Sequence, residues 1–126
     1  MASVMGPGFW RLVLDGRVIA PLIVADTWPA RARGLLGSSG LVGALWLEPC
    51  GSVHMIGMRY PVDVATVDAS GAVLDVRTLR PWSGATWPRR GARATVEAPA
   101  GFMAEHGVRT GSNLSIGSAV MEYDRR

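Results

Sequence analysis

Short apolar runs broken by glycine, proline and aspartate dominate this chain, and most alternate with the two-residue period of strands. Phe9–Leu14 and Arg17–Val24 flank Asp15-Gly16, a pair that supplies the positive φ angles of a tight hairpin turn. Pro21 lacks a ladder donor, which assigns the second strand to a sheet edge or to a bulge. Thr27 followed by Trp28-Pro29 reads as a capped helix start. Gly37 is its stop, so a helix is expected over about Trp28–Leu36, carrying Arg31 and Arg33. Ser38–Gly43 is a small-residue loop, Ala44–Glu48 a short apolar strand, and Ser52–Met58 an extended segment broken at Gly57.

The clearest pair of elements is Pro61–Asp68 and Ala72–Leu79, two β-branched runs joined by Ala69-Ser70-Gly71. In the second run Leu74 and Val76 face one way, Asp75 and Arg77 the other. The first is apolar on both faces and so belongs in the middle of a sheet, with Asp63 on the same face as Ala65 and Val67. Arg80–Arg93 follows neither period and reads as a long loop. Ala94–Ala98 is a strand carrying Glu97, and Pro99 is expected to open a short helix that Gly107 ends. Asn113–Ile116 is a last short strand before a polar tail. The fold class that follows is α+β, mainly β: a small bent or partly closed, barrel-like mixed sheet with two short helices.

Composition narrows the picture further. At 126 residues with 48% hydrophobic types, residues 1–126 are expected to form a single domain with its own core, residues 117–126 being a loosely ordered tail. A lone cysteine, Cys50, supplies neither an internal disulfide nor a cysteine-based zinc site, which points to a reducing cytoplasm. No apolar run approaches the roughly 18 residues of a membrane span, and the first residues lack the basic-then-apolar order of a secretion signal. A membrane partner is therefore not expected. Net charge is +3, modest beside that of a dedicated nucleic-acid binder, and every positive residue is arginine. Five arginines nonetheless fall between Val76 and Val96 with no acid among them.

Ala25-Asp26-Thr27, Arg33-Gly34-Leu35-Leu36-Gly37, the stretch from Ser52 through His54, Gly57-Met58-Arg59 and Pro61 to Val64, Asp68…Gly71 and Glu97-Ala98-Pro99-Ala100-Gly101 together resemble the domain-of-unknown-function 192 family. The resemblance spans about Val24–Ile116. It departs at Met58, where Thr is commoner, at Ser38, where Arg often stands, and at Thr66, where Phe is usual. It implies a small β-rich fold and carries no established activity.

Several residues could carry chemistry. Asp63, apolar on both sides, must be neutralised or paired. It is either a ligand-binding or general-base carboxylate, with Arg33, Arg59 or His54 as partners, or a structural group holding an ion pair or backbone N–H groups. His54 is the acid/base candidate by type. Cys50 and His54 stand about 13 Å apart along a strand, too far for a nucleophile and its base without a sharp turn. His106 suits the end of its short helix. A metal set of His54, Asp63 and Glu97 is conceivable, but the spacing lacks the usual ligand motifs, and neither metal nor cofactor is expected. Trp82 and Trp87 among the arginines form either a stacking surface for a polyanion or a cover over the core edge. The expected function is a small non-catalytic binding domain for a small polar or sugar-like ligand or a peptide, with Arg33, His54, Arg59, Asp63 and Glu97 lining its pocket and Trp82 and Trp87 as a lid. The alternatives are a hydrolase using His54 and Asp63, and a nucleic-acid or polyanion accessory domain acting through Arg80–Arg93, nucleic acid being the less expected partner.

Overall fold

The computed structural model describes residues 4–25, 43–49, 60–81, 86, 89–118 and 120–122, with side chains from residue 10 onward. Seven strands form one sheet: β1 Val4–Leu14, β2 Arg17–Ala25, β3 Ala44–Leu47, β4 Val62–Asp68, β5 Val73–Leu79, β6 Ala92–Pro99 and β7 Leu114–Ser118. Their order across the sheet is β5-β4-β6-β3-β2-β1-β7. Only β2 and β3 run parallel; every other neighbouring pair is antiparallel. The single described helix, α1, spans Phe102–His106.

The β1–β2 hairpin turns on Asp15 (φ 48°) and Gly16 (φ 86°), as its Asp-Gly pair predicts. β2 is not an edge strand, but the other place Pro21 allowed is close by: the β1–β2 register shifts between Ala20 and Val18, beside Pro21. Pro21 sits opposite Arg11 on β1, and pairing to β3 begins one residue later, at Leu22, so the missing N–H falls where the second neighbour has not yet started. The sheet bends until its two end strands approach without closing. Ala72 and Asn113 form one isolated bridge, flanked by Val73 N–H donating to the Ser112 carbonyl (2.8 Å) and Leu114 N–H donating to the Gly71 carbonyl (2.9 Å). Gly71 is required at this junction: its φ is +89°, and a Cβ there would run into the Leu114 carbonyl oxygen.

The inner face of the bend holds the main core: Leu12, Leu14, Leu22, Trp46, Val67, Val96 and Leu114, closed at one end by Phe102 and Met103 of α1. On the outer face a second, smaller apolar patch gathers Ala25, Leu45, Leu47, Val62, Val64 and Leu79, with Ile23 and Tyr60 packed on it. β4 lies between β5 and β6 and is buried from Val62 to Val67, which explains its apolar character on both faces.

Three expected boundaries shift. The helix after β6 starts at Phe102 rather than at Pro99, because β6 keeps its pairing through Pro99 opposite Val62 and Gly101 makes the turn. The loop after β5 ends at Gly91, since Ala92 and Arg93 already belong to β6. β7 extends to Ser118, two residues into the expected tail, by pairing with Trp10 and Arg11 of β1. The helix expected over Trp28–Leu36 and the segment Ser52–Met58 lie outside the described residues. No helix among the described residues is long and apolar enough to cross a membrane.

Candidate functional site

Asp63 stands on β4 opposite Ala98, on the inner face with Ala65, Val67 and the α1 side chains. It is 3% exposed, and both its oxygens are engaged by the chain itself. Oδ1 accepts from the Thr78 hydroxyl on the adjacent β5 at 2.6 Å. Oδ2 accepts from the backbone N–H of Gly101 and of Met103, each at 3.0 Å. The first turn of a helix leaves its N–H groups without internal partners, and a nearby negative charge suits that end. Gly101, at the N-cap position, has no side chain to provide one. Asp63 therefore caps α1 from a different strand and fixes the helix beneath the sheet.

Glu97 is treated in the opposite way. Its neighbours Val96 and Ala98 point into the main core, so by strand alternation Glu97 points to the outer face. The register places it in a row across five strands: Arg77, Val64, Glu97, Leu45 and Ile23. Three of the four residues beside it in that row are apolar. Glu97 is 2% exposed, and its Oε2 is buried with no hydrogen-bond partner. Burial pushes its carboxyl from the ordinary 4.5 up to about 8, and no described residue offsets this with a hydrogen bond or a charge. The Tyr60 hydroxyl, on the same apolar patch, is also buried without a partner. Sequence reasoning passed over Tyr60. Its even spacing from Val62 and Val64 was the available signal, masked by the intervening Pro61.

Asp63 and Glu97 thus lie on opposite faces of the sheet and cannot share one pocket or hold one metal ion. Arg33, His54, Arg59, Trp82 and Trp87 lie outside the described residues, as does Cys50. Among the described residues no three His, Cys, Asp or Glu side chains gather as a metal site. His106 ends α1 and packs against Phe102 with its ring tilted by 44°, centroids 4.4 Å apart.

The arginine-rich stretch meets acids that its own sequence window does not contain. Asp75 pairs with Arg77 (2.7 Å) and Arg89 (3.7 Å), and Glu48 with Arg93 (3.2 Å). Glu48 also accepts from the Trp46 indole at 2.9 Å, which ties β3 to the start of β6. Exposed pairs of this kind contribute little to stability, on the order of 1 kcal/mol or less, but they lower the free positive charge of the surface. Arg80 and Arg90 have no acidic partner among the described residues.

The model of the DUF192 family, described as Uncharacterized ACR, matches residues 13–116. Among curated relatives, a UPF0127 protein of Thermococcus gammatolerans is 34% identical over 98 residues, covering 73% of this chain and 63% of the relative. A UPF0127 protein of Thermococcus sibiricus is 34% identical over 86 residues, covering 64% of this chain and 55% of the relative. The matched region therefore spans little more than half the length of these relatives. Two solved structures share the fold at 19% identity. One is a protein of unknown function from Novosphingobium aromaticivorans (TM-score 0.73, covering 91% of this chain and 93% of that one). The other is a putative transcription regulator from Sinorhizobium meliloti (TM-score 0.69, 95% and 96%).

Proposed function

This chain belongs to the DUF192 family of uncharacterised proteins, and we propose that within it the chain acts as a small non-catalytic binding domain whose ligand is held on the outer face of the sheet at Glu97. The observation that supports this is the Glu97 Oε2, buried on an apolar surface without a hydrogen bond. Folded proteins pair the large majority of their buried polar atoms, and an unpaired one in a carboxylate costs several kcal/mol or forces the group to stay protonated. A second unpaired polar atom, the Tyr60 hydroxyl, is buried against the same apolar side chains. The ligand classes are those open from the sequence: a small polar molecule, a sugar-like group or a peptide.

The hydrolase alternative draws nothing from Asp63, whose oxygens already accept three hydrogen bonds from the chain. The polyanion alternative is weakened by Asp75 and Glu48, which pair two of the arginines it would use, Arg89 and Arg93. A cytoplasmic setting accords with the single cysteine.

A thermal-shift panel of amines, sugars, carboxylates and short peptides tests the binding reading. A ligand that binds only the folded chain stabilises it by about 2.7 kcal/mol at a hundredfold excess over its Kd. At least one class should raise Tm, and Glu97→Gln should reduce that rise. If every class leaves Tm unchanged, the binding reading is wrong.

A further inference from the structure

We infer that the free edge of β7 is a docking surface for a second copy of this chain, the two β7 strands pairing antiparallel about a two-fold axis at Gly117. The inference is independent of the binding reading at Glu97. An end strand presents a row of unpaired N–H and C=O groups, and natural sheets guard such edges with charge, proline or a bulge. The two end strands of this sheet, β5 and β7, differ in that respect. β5 carries Asp75 and Arg77, paired with each other at 2.7 Å, and Arg89 reaches Asp75 as well. β7 reads Leu-Ser-Ile-Gly-Ser, and no charged residue stands between Arg109 and Glu122. Its ladder with β1 runs from Leu114 to Ser118 without a register shift. The edge is also open to solvent: Ser115, Ile116 and Ser118 are exposed. The large apolar side chains left exposed among the described residues are Ile116 at 36%, Met121 at 38% and Val120 at 87%, all on β7 or just past its end.

Hydrogen-bond direction sets how a second copy would meet this edge. Leu114 N–H donates away from β1, to the Gly71 carbonyl at 2.9 Å, so Ile116 and Ser118, at even spacing along the strand, also turn their N–H and C=O groups away from β1. Leu114 is committed to the β4–β5 turn, and a pairing centred on Ile116 would need its N–H. The register that uses only uncommitted donors sets Ile116 opposite the copy's Ser118, and Ser118 opposite the copy's Ile116. Each such pair exchanges two backbone bonds, the Ser118 carbonyl accepting a second beside the one from Met121 N–H at 3.1 Å. Gly117 then faces its own counterpart across the axis, a position where Cα atoms come within about 4.5 Å and where glycine has no side chain to hold the strands apart. An antiparallel self-pair brings a strand's charges near their own copies, so a charged β7 would repel itself; this one carries none. Ile116, on the inner face opposite Leu12, lies diagonal to its counterpart and covers it. β5, at the other end of the order and guarded by charge, adds no further copy, so the assembly closes as a dimer.

Sedimentation velocity of the full chain over a concentration series tests this. A strip this narrow belongs among the small, weak interfaces, so dimerisation with a Kd on the order of 10–100 μM is expected, with little dependence on salt. As the dimer forms, the Ile116 and Ser118 amides should gain protection from hydrogen exchange. Ser118→Pro removes an N–H that β1 does not use, and Ile116→Lys sets like charges across the axis; each should weaken dimerisation by about tenfold or more. Both variants should unfold in urea much as the parent does at concentrations where it is a monomer, and if the proline variant fails to fold, the lysine variant decides. Dimerisation that survives in the folded variants overturns the assignment to β7. A chain that stays monomeric throughout overturns the inference and leaves a strand from a foreign protein as the occupant of the edge. Species larger than a dimer overturn the closed two-fold.

Discussion

Replacing Glu97 by glutamine keeps the shape of the side chain and removes its charge, so the change isolates what ionisation at this position does to the fold. In the unfolded chain the carboxyl loses its proton near its ordinary 4.5; in the folded chain burial holds the proton until about pH 8. Between those values the folded state binds more protons than the unfolded one, so stability falls as pH rises. The full difference, about 3.5 in pKa at about 1.4 kcal/mol each, is roughly 5 kcal/mol. At pH 7 about 2.5 of that 3.5 has been traversed, a loss of roughly 3 kcal/mol from the acid limit. Glutamine titrates nowhere in this range. Its amide brings its own burial cost, but that cost does not vary with pH. The difference in unfolding free energy between Glu97→Gln and the parent should therefore shift in favour of glutamine by about 3 kcal/mol from pH 4.5 to 7 and by about 1 more by pH 9. Urea unfolding of both proteins at pH 4.5, 7 and 9 measures it, and the other titrating groups cancel in the comparison. A difference that stays flat across this range would show that the carboxyl is already solvated or paired, and the argument for an orphan charge would fail.

Other outcomes follow from the same structure. Asp63→Ala strands two backbone N–H groups and the Thr78 hydroxyl under the sheet and should cost about 3 kcal/mol or more, whereas Asp63→Asn, which keeps an acceptor for α1, should cost about 1. Thermal unfolding of both variants checks this, and equal losses would remove the capping role. Gly71→Ala should destabilise by about 2 to 3 kcal/mol, while Gly16→Ala, at a similar positive φ but with open space around it, should cost about 1. Equal losses would mean that the approach of Gly71 to the Leu114 carbonyl is not a tight contact. Asp68 accepts from the hydroxyl and backbone N–H of Ser70 and from the N–H of Ala72, and these bonds hold its carboxyl below the usual 3.8. Its contribution to stability is present above 3.8 and should fade as pH falls below that value, visible as a depressed carboxyl titration by NMR.

Strands declared themselves in the sequence wherever alternation or a turn pair was local. The Asp15-Gly16 hairpin and the β4–β5 pair with Gly71 at its turn are both readable without knowing anything about distant residues. What local pattern could not carry was long-range. Pro21 leaves an edge and a bulge both open because the sequence does not show that β3 begins pairing one residue further on. Arg77, Arg89 and Arg93 look like an unopposed basic stretch because Asp75 precedes the window and Glu48 arrives from another strand. Asp63 was recognisable as an acid in an apolar strand, and a backbone-capping role was one of the two readings that pattern allowed. Its partner was not recognisable, because the N–H groups it accepts from belong to a helix 38 and 40 residues later.

The same limit explains why Asp63 and Glu97 first looked like members of one site. Both are acids flanked by apolar strand residues, and parity alone fixes the face of each within its own strand but not between strands. Register decides it: Asp63 is opposite Ala98, so Glu97, one residue earlier on β6, must point the other way. Once separated, the two acids receive opposite treatment. Asp63 has three donors for its two oxygens and performs a structural task with no polar atom left over. Glu97, equally buried, has an oxygen with none. A residue that only filled space on the outer face would do so at lower free energy as leucine or methionine, which carry no charge to desolvate. That a glutamate stands here, at a penalty that grows through neutral pH, is the reason to look for the missing partner outside the described residues.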